Sequence, residues 1–279
     1  MQLRCIRDIP THTPPPAPHF VLEFPYEWTI SMGERPMRRI LTSVVLSVLL
    51  FPSLAFNTFA KGKRYSDDDW NLTFYDDCGM PKGDSVRWIE EENNKFIRFQ
   101  LGDKDYGRCS SDGKRRSRAP YWERAELKQL STLASNTKYE LTFKMRFVEG
   151  FSGNRETFWQ MHAYDKPCLA KPPIMIKISE GNLIFAAQRE GGGHDVYYSD
   201  IKIGDLIGKW YNVKMKFDTS ENAEVSLFLN DKEVFLNLPF WVEACGTPHF
   251  KFGIYRPGNT NGNKLSIIDF DKINVKKIE

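Results

Sequence analysis

From about residue 61 onward the chain runs in short stretches of alternating apolar and polar residues, punctuated by turn-forming residues. The clearest is Tyr139-Glu140-Leu141-Thr142-Phe143-Lys144-Met145-Arg146-Phe147, in which every odd position is apolar. Alternate side chains of an extended strand share a face, so those odd positions are expected to face a core. The same pattern predicts strands over Lys95–Gln100, Ile174–Ser179, Asn182–Gln188, Tyr211–Phe217, Glu224–Leu229, Glu233–Leu238 and Leu265–Val275. Asn230-Asp231, between two of them, reads as a hairpin turn. No long stretch carries a helical period. Many short strands in one domain of this size imply an all-β fold, a two-sheet sandwich or jelly roll.

Three further strand-like segments carry unusual polar residues on one face: YWERAELKQ around Arg124, FWQMHA around Gln160 and His162, and FKFGIYRPG around Tyr255. Arg124 and Glu126 are two apart, as are Gln160 and His162, and Lys251, Gly253 and Tyr255 alternate likewise, so each set shares a strand face. A cation, an amide, an imidazole and a phenol that converge from three strands can neutralise a carboxylate and move a proton beside it. Taken singly, each has a plainer reading. Arg124 and Glu126 could be an ordinary ion pair on a sheet surface, His162 a satisfied half-buried histidine, and Tyr255 a packing residue with a wet hydroxyl.

Together and in this order, the segments RAEL, QMH and FKFGIY resemble the β-jelly-roll polysaccharide lyases: the alginate lyases, the glucuronan lyases and, more loosely, heparin lyase I and its relatives. The resemblance spans roughly Trp70 to the C-terminus. It departs at Phe250, where those alginate lyases carry Tyr, and at Phe252, where they carry Ala, so alginate itself is not implied as the substrate. The resemblance implies a two-sheet antiparallel, concanavalin-like jelly roll with a concave substrate groove. It also implies β-elimination on a uronic-acid polysaccharide.

That reaction needs a neutralised carboxylate, a base for the C5 proton and an acid for the departing O4. Arg124 and Gln160 are the candidates for neutralisation: one offers a planar cationic fork, the other an uncharged amide donor. His162 is the candidate base, with a reference pKa of about 6.5, and Tyr255 the candidate acid, with one of about 10. Lys251 or Arg124 could lower the phenol far enough for it to act as base instead, so the two roles are assigned only to the pair. Glu126 is expected to hold Arg124. Candidate substrate contacts are Lys251, Arg256, Lys128, Arg116, Arg118, Tyr121 and Trp159. No redox cofactor, nucleotide or catalytic metal is expected, although the resemblance allows a structural calcium.

Two other classes compete. A non-catalytic carbohydrate-binding module would keep the aromatics and the basic loop but would scatter Arg124, Gln160, His162 and Tyr255. A glycoside hydrolase on the same fold needs two carboxylates across the scissile bond, and its Glu-x-Asp-x-x-Glu strand is absent from this sequence.

The first 60 residues read as separate from this domain. Arg38 and Arg39 precede an apolar run from Ile40 to Phe56, with small residues at Ala55 and Ala60. That is the order of a secretory signal, with cleavage after one of those alanines. An uncleaved anchor is the alternative, as the run approaches the roughly 18 residues that span a bilayer. Residues 1–31, with Pro14, Pro15, Pro16 and Pro18, fit no targeting logic and read as a mis-called start or a disordered tail. The expected organisation is therefore 1–31 extension, 32–60 signal and 61–279 one domain, secreted or periplasmic, monomeric and without stable membrane association.

Charge and cysteines refine this picture. The chain has 39 basic and 36 acidic residues; without the leader's five and four they become 34 and 32, a net charge of +2. A chain so close to neutral is no general polyanion binder and no nucleic-acid binder, so an acidic polysaccharide must be held by local clusters. One such run is Lys114–Arg118. Cys78, Cys109, Cys168 and Cys245 remain, an even number that permits two disulfides in an exported chain without fixing their pairing. Metal-ligand spacings such as Cys-x-x-Cys are absent. Gly191-Gly192-Gly193 reads either as a mobile lid or as a plain surface hairpin.

Overall fold

The computed structural model describes residues 63–76, 78–109, 112, 122–163, 172–242, 247–258 and 265–279. The proposed leader, the Lys114–Arg118 run, Tyr121, Cys168 and Cys245 lie outside the described residues. Within the described residues no helix is long and apolar enough to cross a membrane.

Two antiparallel sheets make the fold. Those of the first are β1 (Arg64–Tyr65), β2 (Phe74–Tyr75), β5 (Trp122–Gln129), β7 (Glu156–His162), β8 (Ile174–Ser179), β9 (Asn182–Gln188), β10 (His194–Lys202) and β14 (His249–Pro257). They lie in the order β1-β2-β5-β14-β7-β8-β9-β10. The second sheet holds β3 (Val86–Glu91), β4 (Asn94–Leu101), β6 (Lys138–Phe147), β11 (Tyr211–Asp218), β12 (Asn222–Leu229), β13 (Lys232–Trp241) and β15 (Ser266–Lys277). Its order is β13-β12-β11-β6-β15-β4-β3. The strands predicted at Ile174–Ser179 and Asn182–Gln188 fall at those bounds, and the others differ by a few residues at their ends. One four-residue helix, α1 (Ile203–Leu206), follows β10.

The core lies between the sheets, and alternation builds it. Tyr139, Leu141, Phe143, Met145 and Phe147 of β6 are all buried. Phe252 of β14 reaches across to meet Phe143 edge-on at 5.1 Å and Phe270 at 5.2 Å. Such contacts add to the roughly 1.5–3 kcal/mol that each buried ring contributes by leaving water. Asn230 and Asp231 both have positive φ, at 48° and 62°, as the inward-twisting hairpin turn between β12 and β13 requires. The triple-glycine segment joins β9 to β10 as a hairpin loop, with Arg189 N–H donating to Gly193 O at 3.2 Å.

The connections place the site. β5, β14 and β7 are far apart in sequence yet adjacent in the first sheet. The three polar segments singled out from the sequence therefore lie side by side. One glycine is required by this junction. Gly253 has φ +137°, and a Cβ there would sit 2.1 Å from the Ala125 carbonyl oxygen. Its bare backbone lets β14 pass β5 at the point where the register to β7 shifts, between Phe252 and Tyr255.

Candidate active site

On the face of the first sheet turned away from the core, cross-strand register sets residues in rows. Arg124 pairs with Tyr255, Tyr255 with Thr157, and Thr157 with Lys177. A second row runs Lys128, Lys251, Gln160, Met175. His249 and His162 pair beyond it. A register shift between Thr157 and Trp159 explains how Thr157 and Gln160, three apart, face the same way: a bulge adds a residue and re-aims the strand. Arg124, Gln160, His162 and Tyr255 all line one groove of about 370 Å³, together with Thr157 and Lys177.

Glu126 is the hub of this groove. Its Oε2 accepts from Arg124 Nη1 at 2.7 Å and its Oε1 from Gln160 Nε2 at 2.7 Å. Arg124 donates from Nε to both carboxylate oxygens of Asp112 at 3.2 Å. All four residues are buried. Burial opposes the charge of Arg124, but Glu126 and then Asp112 outweigh it and hold the guanidinium above its ordinary value. Asp112 is in turn tied down by Cys109, whose N–H donates to Oδ2 at 3.1 Å, and Cys109 forms a disulfide with Cys78.

Two of the catalytic candidates, Arg124 and Tyr255, touch. The Arg124 guanidinium lies 4.2 Å from the centre of the Tyr255 ring, and Trp122 stacks on that ring at 4.6 Å. His162 stacks on His249 at 5.5 Å. Burial, reinforced by the charges of Lys251, His249, Lys128 and Arg124, pushes His162 down to about 2. The imidazole is therefore neutral, an acceptor rather than a cation, across the physiological range. Lys128 is half-buried and Lys251 buried on the same face.

Two expected substrate contacts are elsewhere. Trp159 is fully buried between the sheets, 5.5 Å from Phe250 and 6.4 Å from Phe252; it alternates with Gln160 and so points inward. Arg256 alternates with Tyr255 in the same way. It is fully buried, donating from Nε to Glu123 at 2.6 Å and from Nη1 to Glu156 at 2.8 Å, with Nη2 on the Gly102 carbonyl. An arginine committed to two buried carboxylates is a structural anchor beneath the site, not a substrate contact. The expected Arg116, Arg118 and Tyr121 contacts lie outside the described residues.

Residues not singled out from the sequence also belong here: Asp112, Thr157, Arg155, Lys177 and His194. Lys177 was legible, since it alternates with Ile174, Ile176 and Ile178 on a predicted strand. Asp112 was not, because a single isolated β-bridge to Trp122, which no local pattern marks, brings it to Arg124. No carboxylate lines the groove itself among the described residues. The one grouping of ligand-type atoms among the described residues is Cys78, Cys109 and Asp112. Two of its members are joined in a disulfide, which does not suit calcium, a cation that takes oxygen ligands.

The sequence matches the polysaccharide lyase family over residues 82–274. No curated protein matches it. In fold the chain is similar to an endo-β-1,4-glucuronan lyase from the fungus Trichoderma reesei, at 13% identity and a TM-score of 0.52, covering 69% of this chain and 87% of that one. It is also similar to an alginate lyase from Pseudomonas aeruginosa, at 16% identity and a TM-score of 0.48, covering 72% and 97%. The family match covers well over half of the chain, and the chain belongs to the polysaccharide lyase family.

Proposed function

We propose that this protein cleaves an acidic polysaccharide within its chain, at the 4-O-linked bond of a uronic acid, by β-elimination. The base takes the proton from C5, the C5–H electron pair forms the C4–C5 double bond, and O4 leaves with a proton from the acid. The products are a new chain end and an unsaturated uronate on the other. Convergence of Arg124, Gln160, His162 and Tyr255 in one groove, with no lining carboxylate among the described residues, carries this reading. A hydrolase would need two carboxylates facing the bond, and a passive binding module has no use for an imidazole and a phenol beside one cationic cluster. Arg124 is already paired with Asp112 and Glu126, so much of its charge is spent. Lys251 and Lys128, beside His162, therefore supply the charge that a substrate carboxylate requires, while Arg124 and Gln160 orient it through hydrogen bonds. Export, as the leader suggests, would place the enzyme where such polymers occur.

The test uses the chain from Lys61 onward with a panel of alginate, glucuronan, heparin-type and bacterial acidic polysaccharides. The readout is the ultraviolet absorbance of the unsaturated uronate, with His162→Ala and Tyr255→Phe as controls. A rise lost in both variants is the expected result. Binding without any rise would instead make the protein a carbohydrate-binding module.

A further inference from the structure

The row of residues that crosses the sheet at Tyr255 does not end at the reacting groups. It continues through Thr157 to Lys177 on β8. Strands lie about 4.8 Å apart, so the Lys177 backbone is roughly 10 Å from that of Tyr255. Lys177 and Arg155 line the same groove. Arg155 is exposed at the turn entering β7, with φ at +57°. Lys177 is half-buried, and burial first and Arg155 second hold its ammonium below the ordinary value. Neither forms an ion pair with a carboxylate among the described residues. Two like charges that repel within one groove, one of them partly desolvated, are a costly arrangement that a bound anion relieves.

We propose that Arg155 and Lys177 form an anion subsite, separate from the reacting centre, that takes a second acidic substituent of the polysaccharide chain being cleaved. It rests on the lyase reading above and narrows the substrate to chains with closely spaced acidic groups. A polymer with isolated uronates among neutral sugars leaves the pair unfilled and binds poorly. The acidic substituent is a uronate carboxylate or a sulfate ester, since both match a guanidinium fork and an ammonium.

The experiment crosses a change in the enzyme with a change in the polymer. Wild type, Lys177→Met and Lys177→Arg are assayed on the polyuronate that wild type accepts and on the same polymer after partial reduction of its carboxyls to alcohols. Lys177→Met is expected to raise KM on the intact polymer about tenfold while kcat holds within about twofold, because Lys177 lies away from the reacting atoms. Carboxyl reduction is expected to raise KM less for Lys177→Met than for wild type, and Lys177→Arg to behave as wild type. A merely structural lysine would lower the melting temperature when replaced. Here Lys177→Met is expected to melt at or above the wild-type temperature, because a repelled, partly desolvated cation is removed. Dextran sulfate as competitor separates the sources. Inhibition weakened by Lys177→Met extends the site to sulfate esters, and inhibition indifferent to it confines the site to carboxylates. Unchanged KM for Lys177→Met on a polymer that wild type cleaves overturns the subsite alone. Failure of wild type to cleave any uronate polymer overturns the lyase reading and this inference with it.

Discussion

Replacing Glu126 with Gln tests the centre of the site. Glu126 is buried and accepts two hydrogen bonds of 2.7 Å, one from Arg124 and one from Gln160. Gln has the same shape but no charge and only one acceptor oxygen, so it can satisfy Arg124 only by turning its NH₂ toward Gln160, which must then flip its own amide to accept. Breaking a buried ion pair costs about 3–5 kcal/mol. Asp112 still holds Arg124 from its other side, which places the loss near the lower end, at about 3 kcal/mol. For a domain of this size that is a fall in melting temperature of roughly 6–12 °C. Activity should fall further, by about a hundredfold in kcat/KM, because Arg124 and Gln160 both lose their register and small misplacements cost that much. Thermal melting and the ultraviolet elimination assay read the two effects separately. The exchange Glu126→Gln with Gln160→Glu adds a control. The Gln at 126 can then accept from Arg124 and donate to the new carboxylate, restoring part of the melting temperature but not the activity. A single variant that melts within about 2 °C of wild type with unchanged kcat/KM would falsify the hub.

Three further outcomes follow from the same geometry. Gly253→Ala should abolish soluble folded protein or lower its melting temperature severely, as the added Cβ meets the Ala125 carbonyl at 2.1 Å and neither backbone can yield; normal melting would contradict the close passage of β14 over β5. Replacing both Cys78 and Cys109 with Ser opens a loop of 31 residues, worth about 3.7 kcal/mol by loop entropy, and should also lower kcat/KM by loosening Asp112 behind Arg124; a stability loss with full activity would separate the disulfide from the site. His162 is held at about 2 in the fold against about 6.5 unfolded, so the unfolded chain binds the extra proton at intermediate pH. Its contribution to stability is therefore complete above about pH 6.5 and lost as pH falls toward 2, at about 1.4 kcal/mol per pH unit. Melting temperatures followed from pH 6.5 to 4.5 should fall more steeply for wild type than for His162→Gln, and parallel curves would reject the half-buried neutral imidazole.

The sequence made legible whatever depends on strand alternation. It set Tyr139 through Phe147 in the core, turned Gln160 with His162 to one face, and set Arg124 with Glu126 beside them. The same alternation argues against Trp159 and Arg256 as substrate contacts, because each immediately adjoins a groove residue in its strand. Their residue types, a sugar-stacking ring and a carboxylate-binding fork, pulled against the pattern, and the pattern is what the fold obeys. Adjacency was less accessible. That β14 lies between β5 and β7 is a matter of long-range pairing, which local pattern does not encode. Asp112 shows the limit most clearly: it belongs to no periodic strand, and a single β-bridge to Trp122, together with Cys109 and its disulfide to Cys78, sets it against Arg124.

The depressed basicity of His162 bears on how the two proton-transfer roles divide. An imidazole held near 2 is a poor base in the empty groove, since proton abstraction is most efficient when the base titrates near the working pH. The charges that hold it down, apart from burial, are those of Lys251, His249, Lys128 and Arg124. A substrate carboxylate docked against Lys251 and Lys128 offsets those charges and adds a negative one beside the ring, so binding itself raises the basicity of His162. The empty enzyme then holds a neutral imidazole that cannot be trapped as a cation by the lysines, and the substrate's own carboxylate turns it into a base. Tyr255 stands in the opposite electrostatic position, its ring against the Arg124 guanidinium at 4.2 Å, where negative charge on the phenol oxygen is favoured once its proton has passed to O4. On this account a neutral-sugar analogue that fills the groove should leave His162 titrating as in the free enzyme, whereas a uronate oligomer should shift its ring resonances toward a higher pKa. Proton NMR of the C2–H signal distinguishes the two, and an identical titration with both ligands would assign the base to Tyr255 instead.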